Sequence, residues 1–200
     1  DKGERGYGVK KIFSEHELIN YLQKAKGDII LQEYIAYPLE VGIMYHRFPN
    51  EQKGNITSVV IKDFLTITGD GYSSLLDLIS KGPRTKYHLE YLKDIHLKDL
   101  DSIPKKGHKI QLQDIGNHSK GTTFLNGNRL INDQLTEVFD DIANKIPDFH
   151  FGRFDLKTTS ENDLMLGINI KIMEINGANS EPAHIYDPSM PINKAYLALF

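Results

Sequence analysis

The 200-residue chain contains no cysteine. That excludes disulfides, thiolate-bound zinc, iron–sulfur clusters and cysteine nucleophiles, and it fits a reducing compartment. An excess of positive charge is also missing. Lys and Arg number 24 against 27 Asp and Glu, a net charge of −3. No global field draws in nucleic acid or anionic lipid, and the basic residues Lys105, Lys106 and Lys109 sit in one short stretch. No apolar run approaches the ~20 residues of a membrane span. Repeats and low-complexity linkers are absent. Among the eight histidines no pair has HExxH spacing, so zinc is not expected. No G-x-S-x-G elbow is present, which argues against an α/β-hydrolase.

What is there reads as globular: 40% hydrophobic and 26% charged residues, enough for one ordinary domain or two small ones. The chain starts at Asp1 and ends at Phe200 within an apolar run, and it is expected to be a fragment of a longer protein. A capping box, Ser14 with Glu17, opens a helix with Leu18, Ile19, Leu22 and Ala25 on one face, and Gly27 stops it. Strands are expected over 29–35, 40–48 and within 57–68. Gly69-Asp70-Gly71 is a turn, and Ser73 is expected to cap a helix through Leu75, Leu78 and Ile79. A weaker helix follows over 84–95, a short strand over 109–112, and an irregular stretch over 116–127. The strongest helical pattern runs from Leu130 to Ile146. Strands over 149–157 and about 164–176 complete the pattern as a hairpin. Helices interrupt groups of hairpins, which favours an α+β fold with antiparallel sheets.

Four constellations carry chemistry. Gly3, Gly6 and Gly8 with Arg5 let backbone amides approach phosphate oxygens, and they suit a flexible turn equally well; the spacing is neither a Rossmann fingerprint nor a P-loop. In the last hairpin, side chains two apart share a face, so Arg153 and Asp155 point together, as do Glu174 and Asn176. An Asp opposite a Glu and an Asn offers oxygen ligands suited to Mg²⁺; a polar strand end with Arg153 paired to a carboxylate is the plainer reading. Placing Asp155 opposite Glu174 centres the turn near Leu164 and Met165, later than the polar cluster 158–163, so an asymmetric loop or bulge is required. The third, Asn176 to His184, reads as a substrate-wrapping loop or an ordinary surface loop. The fourth, Gly116 to Thr123, contains Asn117, His118 and Lys120 and suits a phosphate or substrate.

In this order the pieces resemble the ATP-grasp superfamily over nearly the whole chain, most closely its D-alanine–D-alanine ligase and cyanophycin synthetase branches. The resemblance rests on the glycine run, then Leu31-Gln32-Glu33-Tyr34-Ile35 with Glu40, then Lys62. It continues through Gly69-Asp70-Gly71, the 116–123 loop, Gly152-Arg153-Phe154-Asp155 and Met173-Glu174-Ile175-Asn176-Gly177. It implies two α+β subdomains with antiparallel sheets sandwiching the nucleotide, a small lobe over 1–48 and a large lobe over 49–200. It implies ATP and Mg²⁺ as cofactors. Gly3, Arg5, Gly6 and Gly8 would close over the phosphates. Glu33, Tyr34 and Ile35 would form the adenine hinge, Glu40 would hold the ribose, and Lys62 and Asn117 would reach phosphates. Asp155, Glu174 and Asn176 would hold the metal; Arg153 and Lys120 would act in catalysis; Asn179, Glu181 and His184 would face substrates.

The implied activity is ATP-dependent ligation of a carboxylate to an amine through an acylphosphate. A nucleotide-binding module without turnover and an ATP-grasp kinase are the alternatives. The expected partners are small-molecule or peptide carboxylates and amines, with room for a homodimer through the full-length protein, in the cytoplasm, without nucleic acid or membrane. The family's upstream domain and its lysine ahead of the glycine loop lie outside this sequence, and the 179–184 segment is not the substrate loop of the dipeptide ligases.

Overall fold

Ser14 opens the first helix as its capping box requires. In the computed structural model, which describes residues 9–199, Ser14 Oγ accepts from the Glu17 amide at 3.3 Å. The Glu17 carboxylate reaches back to the Phe13 amide at 2.9 Å, one residue earlier than a standard box. The helix α1, Glu15–Lys24, ends before Gly27, whose φ of +100° is a left-handed conformation open to glycine. These residues belong to a compact unit, Asp1–Ala36; a second unit spans Tyr37–Phe200. The glycine-run residues Gly3, Arg5, Gly6 and Gly8 lie outside the described residues. The strand expected over 29–35 does not form. Its β-branched residues have the propensity, but the described part of this unit has no strand for them to pair with, and Ile30 and Leu31 are exposed.

The second unit is built on one antiparallel sheet in the order β5-β2-β1-β6-β7. Its strands are β1 (Leu39–His46), β2 (Asn55–Asp63), β5 (Thr123–Asn126), β6 (Phe151–Thr158) and β7 (Ile170–Asn176). The lobe boundary expected after residue 48 falls in the connection between β1 and β2, two paired strands of this sheet, whereas the two units divide between Ala36 and Tyr37. Alternation gives the sheet two chemically different faces. Val41, Ile43 and Tyr45 of β1 pair with Ile61, Val59 and Ile56 of β2, and Val41 and Ile43 with Leu156 and Phe154 of β6. That apolar face is covered by α4, Asp133–Asn144, through Leu135, Phe139 and Ala143. Phe139 and Phe154 meet edge to face, ring centroids 5.2 Å apart. Asn132 caps α4 by accepting from the Leu135 amide, so the helix starts later than its apolar pattern suggests.

The opposite face carries Glu40, Gly42 and Met44 of β1 and Ser58, Val60 and Lys62 of β2, with Arg153, Asp155 and Lys157 of β6 continuing it. Asp155 pairs with Glu174 as expected. A bulge between Asp155 and Leu156 and the short helix α5 (Glu161–Met165) in the connection supply the required asymmetry.

Between β2 and β5 the chain leaves the sheet and builds a second core. Here β3 (Thr66–Thr68) pairs with β4 (Lys109–Gln111), and α2 (Leu75–Lys81) and α3 (Leu89–Ile95) pack over Leu65, Ile67 and Leu112. Ser74, not Ser73, caps α2, its hydroxyl accepting from the Asp77 amide at 3.1 Å. The expected helix over 84–95 begins as a 3-10 turn, Thr85–His88. The excursion is closed at its neck by Arg84. Its guanidinium donates to Asp63 Oδ2 at 2.6 Å, and to the Asp63 and Gly121 carbonyls at 3.1 Å each. The chain ends with α6, Ile192–Leu197.

One buried polar contact ties the β1–β2 hairpin to α4. Asp140 accepts from the Tyr45 hydroxyl at 2.6 Å and from the Gly54 amide at 2.7 Å. Burial, and then this bond, push the Tyr45 phenol up from its ordinary value. Asp140→Ala strips both donors of their acceptor, and denaturant unfolding is expected to show a loss of about 2–4 kcal/mol.

Candidate functional site

The polar sheet face concentrates charge where a fold normally places apolar side chains. Lys62 Nζ lies 2.8 Å from Glu40 Oε1 and 3.6 Å from Asp155 Oδ2. Lys157 Nζ is 3.9 Å from Glu40 Oε2. Arg153 grips Asp155 with Nε at 3.0 Å and Nη2 at 3.4 Å. Asn176 Nδ2 adds a 3.4 Å contact to Asp155 Oδ2. The Glu40, Lys62, Asp155 and Lys157 side chains are each 10% exposed or less. Taking this many charges out of water costs several kcal/mol per ion, and apolar replacements of such pairs often match or improve stability. A purely structural sheet has little use for this arrangement.

Glycines make room for it. A Cβ on Gly42 would stand 2.8 Å from Val60 Cγ1 and 3.0 Å from Asp155 Oδ1. A Cβ on Gly116 would meet the Glu40 carboxylate and the Lys62 side chain. Gly116 thus brings the 116–123 loop against the buried pair, and Glu40 is 5% exposed as a result.

The expected site residues separate into groups. Arg153, Asp155, Glu40, Lys62 and Asn176 converge on the sheet face. Glu174 faces Asp155 across the β6–β7 pair; it is exposed and makes no hydrogen bond or ion pair among the described residues. Asn117 is occupied within its own loop, its Oδ1 accepting from the Ser119 amide and hydroxyl at 2.9 Å each. Lys120 sits 4.3 Å from the Tyr91 ring centre in a cation–π contact. Glu33, Tyr34 and Ile35 belong to the first unit, where Lys11 lies 3.8 Å from the Tyr34 ring centre.

Beyond β7, a cleft of about 300 Å³ is lined by Arg153, Asn176 and the 177–181 loop, including Asn179 and Glu181. Glu181 Oε1 accepts from the Tyr186 hydroxyl at 2.6 Å, which, with burial, pushes that phenol up to about 12. His184 does not line the cleft. It is 5% exposed, with Nδ1 2.6 Å from Ser58 Oγ, and it pins the loop to β2. Burial holds its imidazole below the ordinary histidine value.

Sequence reasoning passed over Lys157, Gly42 and Ser58. Lys157 was within reach, because Arg153, Asp155 and Lys157 alternate on one strand face. The partners of Gly42 and Ser58 depend on strand register and had no local signal.

Asp155, Glu174 and Asn176 suit a hard divalent cation: two carboxylates and an amide on neighbouring strands, with room for water on the exposed Glu174 side. Among the described residues, no group of three or more His, Asp or Glu side chains converges as an all-protein metal cage.

No family model and no curated protein matches the chain. Its structure is similar to the crystal structure of a bifunctional glutathione synthetase from Pasteurella multocida, with a TM-score of 0.50 at 17% identity. The match covers 82% of this chain and 24% of the synthetase, so the chain spans about a quarter of that protein's length. The fold is the expected α+β arrangement with antiparallel sheets, and it is shared with that synthetase structure. The likeness does not single out the dipeptide-ligase or cyanophycin branch. No helix among the described residues is long and apolar enough to cross a membrane.

Two substitutions test this geometry. Gly116→Ala forces the loop off Glu40 and is expected to cost about 1–3 kcal/mol, read by thermal or denaturant unfolding. For His184 the lowered folded value means the unfolded chain binds the proton more readily. Its stability contribution is complete above the ordinary histidine value and is lost as pH falls through the folded one. A stability–pH profile should therefore decline on the acid side of that window, and His184→Asn should flatten this component.

Proposed function

We propose that this chain is the nucleotide- and metal-binding portion of an ATP-dependent ligase that joins a carboxylate to an amine through an acylphosphate. The observation that carries the reading is the ladder of buried Glu40, Lys62 and Asp155 with half-buried Arg153 on one sheet face, beside Glu174, which has no partner among the described residues. Three cations on that face, Lys62, Lys157 and Arg153, suit a polyphosphate, and two carboxylates at its edge suit the accompanying cation. The similarity to a glutathione synthetase supports the same reading at the level of the fold.

In this reading Glu40 accepts from the ribose hydroxyls and Lys62 stands against the phosphate chain. Asp155, Glu174 and Asn176 would hold Mg²⁺, which would supply the charge that lets phosphate oxygens tolerate an incoming carboxylate. A carboxylate oxygen would attack the γ-phosphate in line and displace ADP; the amine would then add to the acylphosphate carbonyl and expel inorganic phosphate and a proton, leaving the amide. Arg153, which lines the cleft beyond β7, stabilises the oxyanion that forms as the amine adds. Asn179 and Glu181, on the same cleft, face the substrates.

Calorimetry with Mg-ATP is the primary test. Binding to the wild-type chain is expected, weakened at least about tenfold in Asp155→Ala and Glu174→Ala with the fold intact by circular dichroism. Normal affinity in both variants would remove the metal assignment. Phosphate release that requires both a carboxylate and an amine would establish ligation; ADP formation with a hydroxyl acceptor, without amine and without free phosphate, would point to a kinase.

A further inference from the structure

Asp155 is fully engaged before any ligand arrives. Arg153 Nε takes Oδ1 at 3.0 Å, while Arg153 Nη2 and Asn176 Nδ2 share Oδ2 at 3.4 Å each, with Lys62 Nζ 3.6 Å away. Two of these three groups are cations sitting on the carboxylate that a divalent metal needs. Glu174, its partner across the strand pair, has no such counter-ion among the described residues. The carboxylate closer to the buried ladder is therefore neutralised, and the outer one is free.

We propose that Lys62 and Arg153 act as a counter-ion latch on Asp155, so that a divalent cation and a polyphosphate bind this site with positive coupling and the cation alone binds weakly. The inference rests on the proposed metal role of Asp155 and concerns how that site is regulated. Lys62 has a second carboxylate to rest on, Glu40 at 2.8 Å, and can give up its longer contact to Asp155 without being stranded. Arg153 reaches the cleft beyond β7 while still holding Asp155. A polyphosphate laid along the face competes for both cations. Each contact it takes from them uncovers Asp155 for the metal, and the metal in turn holds Asp155 away from the cations that the phosphate uses. Linkage makes the effect reciprocal, with couplings of this kind typically about 5- to 150-fold. The latch also protects the fold, because an unpaired Asp155 at this depth would be costly.

The test is direct binding of Mn²⁺, followed by the loss of the free-ion paramagnetic resonance signal, in the absence of nucleotide. The wild-type chain is compared with Lys62→Gln, Arg153→Gln and Lys157→Gln. The last removes a cation from the same face, 3.9 Å from Glu40 Oε2. The latch predicts that Lys62→Gln and Arg153→Gln tighten Mn²⁺ binding about tenfold, within the coupling range above. Lys157→Gln should change it much less, and adding Asp155→Asn should erase the gain. Either of the two latch variants suffices if the other does not fold. Equal tightening by all three would reduce the effect to general charge, and no tightening in a folded Lys62→Gln or Arg153→Gln chain would overturn the latch. Calorimetry with Mg-ADP separates the two levels of inference. Asp155-dependent Mg-ADP binding leaves the proposed function standing even when the latch fails. Mg-ADP binding indifferent to Asp155→Asn removes the metal role, and the latch with it.

Discussion

The central constraint in this molecule is the burial of opposite charges on one face of a sheet whose other face is a hydrocarbon core. Glu40, Lys62, Asp155 and Arg153 are tolerable at this depth because each has a counter-ion within 3.6 Å. Much of the local architecture follows from that. Gly42 and Gly116 have no side chain because the carboxylates occupy the space one would take. The apolar layer of α4 has to supply the cohesion that the polar face cannot, and it does so through Phe139, Leu135 and Ala143 against β1 and β6. The Tyr45–Asp140 contact performs a related service at the hairpin end, joining helix and sheet by a paired buried polar group.

The parts of the fold visible in the sequence are those with a short-range signature. The capping box at Ser14, the amphipathic pattern of α4 and the alternation of β6 are written within a few residues of one another, and the structure contains all three. The pairing of Asp155 with Glu174 was expected although the polar segment lies too early for it, and the bulge that this mismatch required is present. The failures are also physical. Residues 29–35 have strand propensity and no strand to pair with in the described part of their unit. The strand β5 was hidden in a glycine-containing stretch, because its pairing with β2 stabilises a segment that its composition does not.

The candidate site was legible as a set of residue types and only partly as a constellation. Period-two reasoning joined Arg153 to Asp155 and Glu174 to Asn176, and the expected hairpin brought the two pairs together. Their union with Glu40 and Lys62 depends on three strands packing side by side, and no local rule joins those segments. His184 illustrates the opposite error. A histidine in a polar loop looks like a substrate contact, yet the return of the loop to β2 buries it on Ser58.

The neck held by Arg84 has an architectural consequence. Asp63, the last residue of β2, pairs directly with Thr123, the first of β5, so the chain leaves and re-enters the sheet at adjacent points. The intervening segment has its own core, and its entropy of closure is met at that junction, not spread through the sheet. Such an insert is a cassette. Its length and content are not tied to the register of the charged face, provided that the three hydrogen bonds of Arg84, or an equivalent clasp, remain at the join.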